Sequence, residues 1–597
     1  MRRRFAVLSS MAAIGLTGAA LALGIGAATA GVTPAAGGSA TTTLAWGAAA
    51  RVPGLAALNA GRLAQVASVS CASAGNCAAA GGYAPRPGAQ LPFVVNEVRG
   101  VWGAARAIPG IAAPNAGGAA EATSVSCPSA GNCVVGGFYT DAARDQQAFV
   151  ANETGGSWHA ARELPGTAAL NSAGNAEVLS VSCSGSGDCA AGGYYTVAGD
   201  VAYAMAFVAS EKNGAWSAAE PVPGTVPGQG TRAEVFSLSC RGQGDCAAGG
   251  RATTSAGAPS TAFVVSESGG SWGRAQPVAG LGALDRRAAS AAVGSVSCAS
   301  PGNCVAGGYY ADAGGHPSQP FVVAQSHGDW GRAQAIPGLA ALNAGGYGAV
   351  QSVSCPSAGN CAVGGYYAPP SGRPQAFVAA DRRGSWSTAT RVPGLAALDH
   401  GHLSAVASVS CASAGNCSAG GSYTSRAFTG GNDQQAFVVD EAGGVWRTAI
   451  EVPGTAGLNA GQDAAVVSVS CGPAGQCAAG GFYDGDALNG FVVGKSLVAL
   501  TSTSLALSAA KVTDGREQAE HLTVRVVSKH GGTPSGTVSV KAGTATVCLV
   551  TLRSGRGSCT LAARQLKPAT YHLVAHWPGG PGFHGSASAA RTLTVAK

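Results

Sequence analysis

The sequence predicts an all-β protein: an eight-bladed β-propeller with four strands per blade, its N-terminal strand closing the last blade, followed by a β-sandwich. Three observations carry that expectation. The stretch SVSCPSAGNCAVGGYY at 352–367 recurs in eight close copies. Its cysteine pairs are Cys71/Cys77, Cys127/Cys133, Cys183/Cys189, Cys240/Cys246, Cys298/Cys304, Cys355/Cys361, Cys411/Cys417 and Cys471/Cys477, always six positions apart. Tryptophan recurs with them, at 46, 102, 158, 216, 272, 330, 386 and 446, spaced by 56 to 60 residues. Four short strands at a fixed period of this kind suggest propeller blades. Finally, one Trp strand precedes the first copy and none follows the last.

The chain opens on Arg2, Arg3 and Arg4, continues through an apolar run over 5–26 and reaches Ala28-Thr29-Ala30. A positive start, an apolar middle and a small-residue end make 1–30 a secretory signal peptide. The apolar run is long enough to stay in a membrane as an anchor, but its Ala/Gly richness and the A-T-A end favour cleavage. Residues 31–43, GVTPAAGGSATTT, form an expected flexible linker. The propeller is assigned to 44–497.

Within the second unit the strands are expected at 122–127, 133–139, 147–153 and 157–163, each short, Val- or aromatic-bearing and bounded by turn residues. No segment has a helical period long enough to compete. The orphan strand at 44–52 and the incomplete eighth unit ending at 490–493 complete one another, which also removes an open sheet edge. If the terminus supplies the outermost strand, S-V-S-C is innermost, where small side chains suit the crowded axis, and Trp lies at the perimeter. The Cys hairpins and G-x-W turns then share one face. The variable loops (84–92, 140–146, 312–320, 424–435) and the V-P-G-L-A-A-L-N-A-G crossovers share the other.

The eighteen cysteines form nine local pairs, the eight above and Cys548/Cys559. Even numbers at repeated spacing in an exported chain imply disulfides, and a short hairpin brings two such Cβ atoms within bridging distance. Each seven-residue loop would contribute about 2.4 kcal/mol by loop-closure entropy. No histidine accompanies the pairs, so zinc is not expected.

From 498 the pattern changes to alternating strands with turn signals, a β-sandwich of 498–597. Its Gly536-Thr537-Val538, Cys548, Cys559, Tyr571, Ala575, Trp577-Pro578-Gly579 and Phe583-His584-Gly585 resemble bacterial Ig-like domains of surface and secreted proteins, which implies a spacer or adhesion module. The upstream copies resemble the S-V-S-C-x-S-x-x-x-C propeller repeats of secreted proteins from high-GC Gram-positive bacteria, a resemblance that implies no activity.

Charge limits the partners. Of the net +7, residues 1–30 carry +3 and 498–597 carry +8, which leaves −4 between them. No continuous basic stripe is present, so nucleic acid is not an expected partner, although the basic tail could meet an anionic cell-wall polymer. No set of residues calls for a cofactor or metal. His400-Gly401-His402 lacks a third ligand, and Asp484-Gly485-Asp486 lacks the remaining residues of a calcium loop. The carboxylates after F-V-V (Glu97, Glu153, Glu211, Glu267, Asp381 and Glu441) recur once per unit, as strand-end residues do, whereas a catalytic pair would break the repeat.

The candidate ligand-binding residues are Tyr139, Tyr195, Tyr310, Tyr367 and Tyr483, each the second of an aromatic pair. Neighbouring strand residues point to opposite faces, so one of each pair packs between blades and the other lies near the variable loop. Tyr at the second position would stack on sugars, with Asn59, Asn115, Asn171, Asn343 and Asn459 as polar contacts; blade packing and turn formation are the competing roles. Arg251 interrupts the series. The expected protein is a secreted or cell-surface monomer, a non-catalytic binding or adhesion protein for a glycan or cell-wall polymer, with no membrane span after cleavage. The alternatives are an extracellular carbohydrate-active hydrolase or lyase, or a purely structural surface protein.

Overall fold

The computed structural model describes residues 43–198, 203–225, 231–255, 258–286, 288–312, 317–426, 433–499, 501–528, 533–580 and 583–597. The expected signal peptide and all but the last residue of the expected linker lie outside them. Among the described residues no helix is long and apolar enough to cross a membrane.

Eight antiparallel sheets are built from the repeats. Their inner strands are Ala64–Ser73, Ala120–Ser129, Glu177–Gly185, Arg232–Gly242, Ser290–Ser300, Ala349–Ser357, Ser404–Ser413 and Ala464–Cys471, here blades 1 to 8. Blade 2 continues through Asn132–Thr140 and Gln146–Thr154 to an outer strand in two pieces, Ser157–Trp158 and Arg162–Glu163. The sequence suggested one unbroken outer strand. The break has a use: between the pieces, the Ala161 N–H leaves the blade and donates to Pro109 O in the preceding I-P-G crossover, at 2.8 Å.

The inner strand has no fifth strand beside it, so its axis-side N–H groups need acceptors. The serines supply them. In every blade the Val (Leu238 in blade 4) and Cys N–H groups of S-V-S-C donate to the two Ser hydroxyls of the preceding blade, sixteen bonds of 2.9–3.1 Å. The series passes from blade 8 back to blade 1, where Val69 and Cys71 donate to Ser468 and Ser470. The ring of eight is closed.

The outer edge closes as well. Thr43–Trp46 pairs with the last third strand, placing Trp46 opposite Lys495, and Ala50–Arg51 pairs with Val492 and Phe491. This ladder reaches farther along the last strand than the 490–493 expected from the sequence. The Cys pairs and the G-x-W turns sit on one face, where the hairpin tips accept from the turns, as Gly100 N to Gly75 O at 2.8 Å.

All eighteen cysteines are bridged, in the nine pairs expected from their spacing. In the blades these are Cys71–Cys77, Cys127–Cys133, Cys183–Cys189, Cys240–Cys246, Cys298–Cys304, Cys355–Cys361, Cys411–Cys417 and Cys471–Cys477. Cys71 and Cys77 stand directly opposite one another in the ladder, as do Cys183 and Cys189 and Cys471 and Cys477. Each bridge also packs against a neighbouring blade. Cys127, Cys133, Cys240, Cys355 and Cys477 are buried there among Val and Ala side chains, so these sulfurs are part of the core and present no surface for a ligand.

The second strand carries a glycine that no other residue replaces. Each inner strand bulges at the residue one place before S-V-S-C, Ala67 in blade 1, and there the carbonyl of Gln65 would lie 2.0 Å from a Cβ on Gly81. The equivalent Gly137 and Gly250 face Glu121 O and Glu234 O as closely. On the opposite face each crossover with a described helix makes one helical turn not expected from the sequence, such as Leu55–Leu58 and Thr455–Leu458. Gly54 at φ 74° turns the chain into it, and Leu55 is buried.

The C-terminal domain is a two-sheet sandwich. Thr501–Leu507, His521–Ser528 and Arg556–Thr560 form one sheet; Lys511–Thr513, Arg591–Ala596, Ala569–Gly580, Gly536–Ala542 and Ala545–Leu552 form the other, with Phe583–Ala587 beside it. Val524, Val540, Leu573, Trp577 and Leu593 fill the space between them, and Cys548–Cys559 joins the two sheets.

Candidate functional site

Tyr139, Tyr195, Tyr310, Tyr367 and Tyr483 are buried, Tyr367 and Tyr483 at 0% exposure, so the ligand contact expected of them finds no free surface. The cause is strand alternation. Tyr139 shares a side of its blade with Ala122 and packs on Ala78, Ala80 and Val94 of blade 1. Its hydroxyl donates to Glu163 at 3.3 Å, and burial together with that carboxylate raises its pKa to about 12. Tyr367 donates to Gln375 at 2.9 Å.

The position one residue earlier is half-exposed in most blades. Around the ring it holds Gly82, Phe138, Tyr194, Arg251, Tyr309, Tyr366, Ser422 and Phe482. Each lies opposite the inner-strand residue six places before the first Cys: Gln65, Glu121, Glu177, Glu234, Ala292, Ala349, Ala405 and Ala465. These eight pairs sit at the crossover end of the inner strands, around the axial mouth. Blades 1 to 4 place amide or carboxylate there, and blades 5 to 8 place alanine. The repeat therefore breaks its symmetry at this one register. Sequence reasoning missed it, although the Gln, Glu, Glu, Glu, Ala, Ala, Ala, Ala series was present in the repeats.

On the polar side the groups are engaged. Glu121 accepts from Gln65 Nε2 at 2.8 Å and Gln90 Nε2 at 3.0 Å, in the space left by Gly82. Glu177 accepts from Tyr194 Oη at 3.2 Å and from Gln146 Nε2 at 3.5 Å. Glu234 is ion-paired with Arg251 at 2.9 Å, and that guanidinium lies over Phe236. Burial, then the Glu121 charge, raises the Glu177 pKa to about 7. Burial also raises Glu121, against its two amide donors. On the apolar side Tyr366 packs on Tyr347, with ring centroids 5.1 Å apart, and burial, then Tyr347, then Tyr309, raises the Tyr366 pKa.

The other candidates hold the scaffold. Asn59, Asn115, Asn171, Asn343 and Asn459 are buried. Asn59 Oδ1 accepts from Leu63 N and Ala84 N while its Nδ2 donates to Leu488 O of the neighbouring blade. In blade 7 Asp399 takes this place, accepting from Leu403 N and Thr424 N beside the exposed His400 and His402. Among the described residues no group of three His, Cys, Asp or Glu could hold a metal.

The strand-end carboxylates staple neighbouring blades on the hairpin face. Asn96 of blade 1 accepts from Trp158 Nε1 at 3.2 Å and donates to Glu153, both of blade 2. Asn152 does the same for Trp216 and Glu211, and Ser210 for Trp272 and Glu267. At the closure Asp440 accepts from Trp46 Nε1 and pairs with Lys495 at 2.9 Å, a lysine where most blades carry an acid. Where the staple residue is Gly494 or Ala324, burial lifts the facing Glu97 to about 7 and Asp381 to about 6.

Residues 500–596 match the family model of the bacterial Ig-like domain (group 3). No curated protein matches the chain. Among solved structures, the β-propeller domain of the Trilobed protease from Pyrococcus furiosus is 8% identical, over 65% of this chain and 98% of that one, with a TM-score of 0.36. The Hadza microbial sialidase Hz136 is 11% identical over 59% and 73%, with a TM-score of 0.32. A PL25 ulvan lyase is 10% identical over 61% and 90%, with a TM-score of 0.33.

Proposed function

We propose that the protein is a secreted or cell-surface binding protein that holds a glycan at the axial mouth of its propeller without transforming it. The observation that carries this reading is the broken symmetry of the mouth: a half-ring of Gln65, Glu177 and Glu234, braced by the buried Glu121, faces a half-ring of alanines flanked by Tyr309, Tyr347 and Tyr366. Sugars present hydroxyls on their edges and C–H groups on their faces, so acceptors on one side and rings on the other suit them. The carboxylates have donors already, and no pair of them stands free for acid–base work. Nine disulfides and the Ig-like domain fit an extracellular setting.

The test is a screen of neutral, acidic and amino-sugar oligosaccharides and cell-wall polymers against the purified protein, with product analysis of every binder. The reading expects saturable binding and recovery of the intact ligand. Cleavage of a bound glycan, lost in Glu177→Gln, would replace it with the hydrolase or lyase alternative. Absence of any binder would leave the scaffold alone, a structural surface protein.

A further inference from the structure

The C-terminal domain keeps its acids inside. Of Asp514, Glu517 and Glu520, the last two have 0% exposure. Glu520 accepts from the N–H groups of Ser508 and Ala509 at 2.7 and 2.8 Å, and Glu517 from Arg564 N at 2.8 Å. Their charges are spent on backbone donors, so Asp514 is the one carboxylate side chain the described surface of this domain shows, against nine exposed Lys and Arg.

Three of these nine cations belong to the outer face of the three-stranded sheet and its adjoining turn. Arg525 stands directly opposite Arg556 in the neighbouring strand, and both are exposed. Ser504 completes that row on the other side of Arg525. Arg553 closes the adjoining turn, bonded through its backbone to Arg556 at 2.7 Å. Among the described residues no ion pair engages any of these arginines. Like charges directly opposite one another across strands are destabilising. An anion seated between the guanidinium groups removes that cost.

We propose that this face binds a linear polymer of phosphodiesters. A tetrahedral phosphate offers oxygens to a guanidinium fork and to hydroxyl donors together, and the neighbouring outward positions are Ser504, Thr523 and Ser558. A planar carboxylate is saturated by one fork. Among its described residues the face presents no Phe, Tyr or Trp on which a base would stack, which favours a backbone without bases over a nucleic acid. This site is separate from the axial mouth and does not depend on it.

The experiment measures binding of the purified protein to immobilised poly(glycerol phosphate) at 50 and 200 mM NaCl, beside polygalacturonate, single-stranded oligothymidylate and neutral dextran. The proposal expects binding to poly(glycerol phosphate) that weakens at least tenfold between the two salts. It expects at least tenfold loss in Arg525→Glu/Arg556→Glu, and a smaller loss in the milder Arg525→Gln/Arg556→Gln. Lys511→Glu/Lys541→Glu, on the other sheet, should stay within twofold. Equal losses in the two charge-reversed variants would reduce the surface to diffuse charge and overturn the site. Equal affinity for polygalacturonate or oligothymidylate overturns the assigned polymer class, and no binding at 50 mM overturns the proposal outright. Melting temperatures of all variants separate loss of binding from loss of fold.

Discussion

The backbone N–H of Val69 in the first blade donates to the hydroxyl of Ser468 in the last, at 3.0 Å, across 399 positions of sequence. The same bond joins consecutive blades, as Val125 to Ser68 at 3.1 Å, so the closing interface repeats the others. Ser468→Ala/Ser470→Ala should cost about 1 kcal/mol for each lost bond. Hydrogen exchange at Leu44 and Trp46 should quicken. Ser124→Ala/Ser126→Ala, between blades 2 and 3, should cost as much without quickening that terminal strand; equal exchange in the two variants would show that the terminal strand does not depend on the closing bonds.

The staple between blades can be added where it is missing. Ala324 stands where Asn96 stands in blade 1, and Asp381 Oδ1 is buried without a partner. Ala324→Asn should donate to Asp381 and accept from Trp386, stabilising the protein by about 1 kcal/mol. Chemical denaturation at pH 7.5 measures it, since Asp381, raised to about 6, is ionised there. A lower midpoint would mean that the added side chain does not fit.

Glu177 makes stability depend on pH in an unusual direction. Its folded pKa, about 7, lies above the ordinary carboxylate value. Its contribution is therefore full below the unfolded pKa and is lost as pH rises through about 7, where a buried charge must form beside Glu121. Glu177→Gln should flatten that decline, so the variant gains on the wild type between about pH 5 and 8. Parallel stability profiles for the two proteins would refute this assignment.

The disulfides should appear in non-reducing peptide maps as nine local pairs, including Cys548–Cys559. Peptides linking different blades, such as one joining Cys127 to Cys189, would count against the hairpin arrangement.

Much of the ring was legible because the repeat repeats its physics. A Trp strand without companions at one end, and a blade without a Trp strand at the other, could only be satisfied together. The purpose of the serines was less visible, since the donors and acceptors of S-V-S-C lie 57 to 61 residues apart within the chain and 399 at closure. The aromatic pairs show the limit of alternation. It says that neighbours face opposite ways, but Tyr366 and Tyr367 are chemically identical, and the side is fixed by Cys361 and Val363, which pack with Tyr367 on the preceding blade. The site lies in what the repeats do not share. Glu121, Glu177 and Glu234 are departures from the pattern, and departures are where a symmetric scaffold can acquire a function.

Tyr366 and Tyr367 therefore provide the most direct test of the axial mouth as a binding site, because one residue separates the proposed site from the core. Binding of the best ligand from the glycan screen and the melting temperature should be measured for Tyr366→Ala and Tyr367→Ala side by side. Tyr366→Ala should bind at least tenfold more weakly while its melting temperature stays close to wild type. Tyr367→Ala, which empties a fully buried position, should lose about 3–5 kcal/mol of stability. Unchanged affinity in Tyr366→Ala, with the fold intact, would contradict the axial mouth as the binding site.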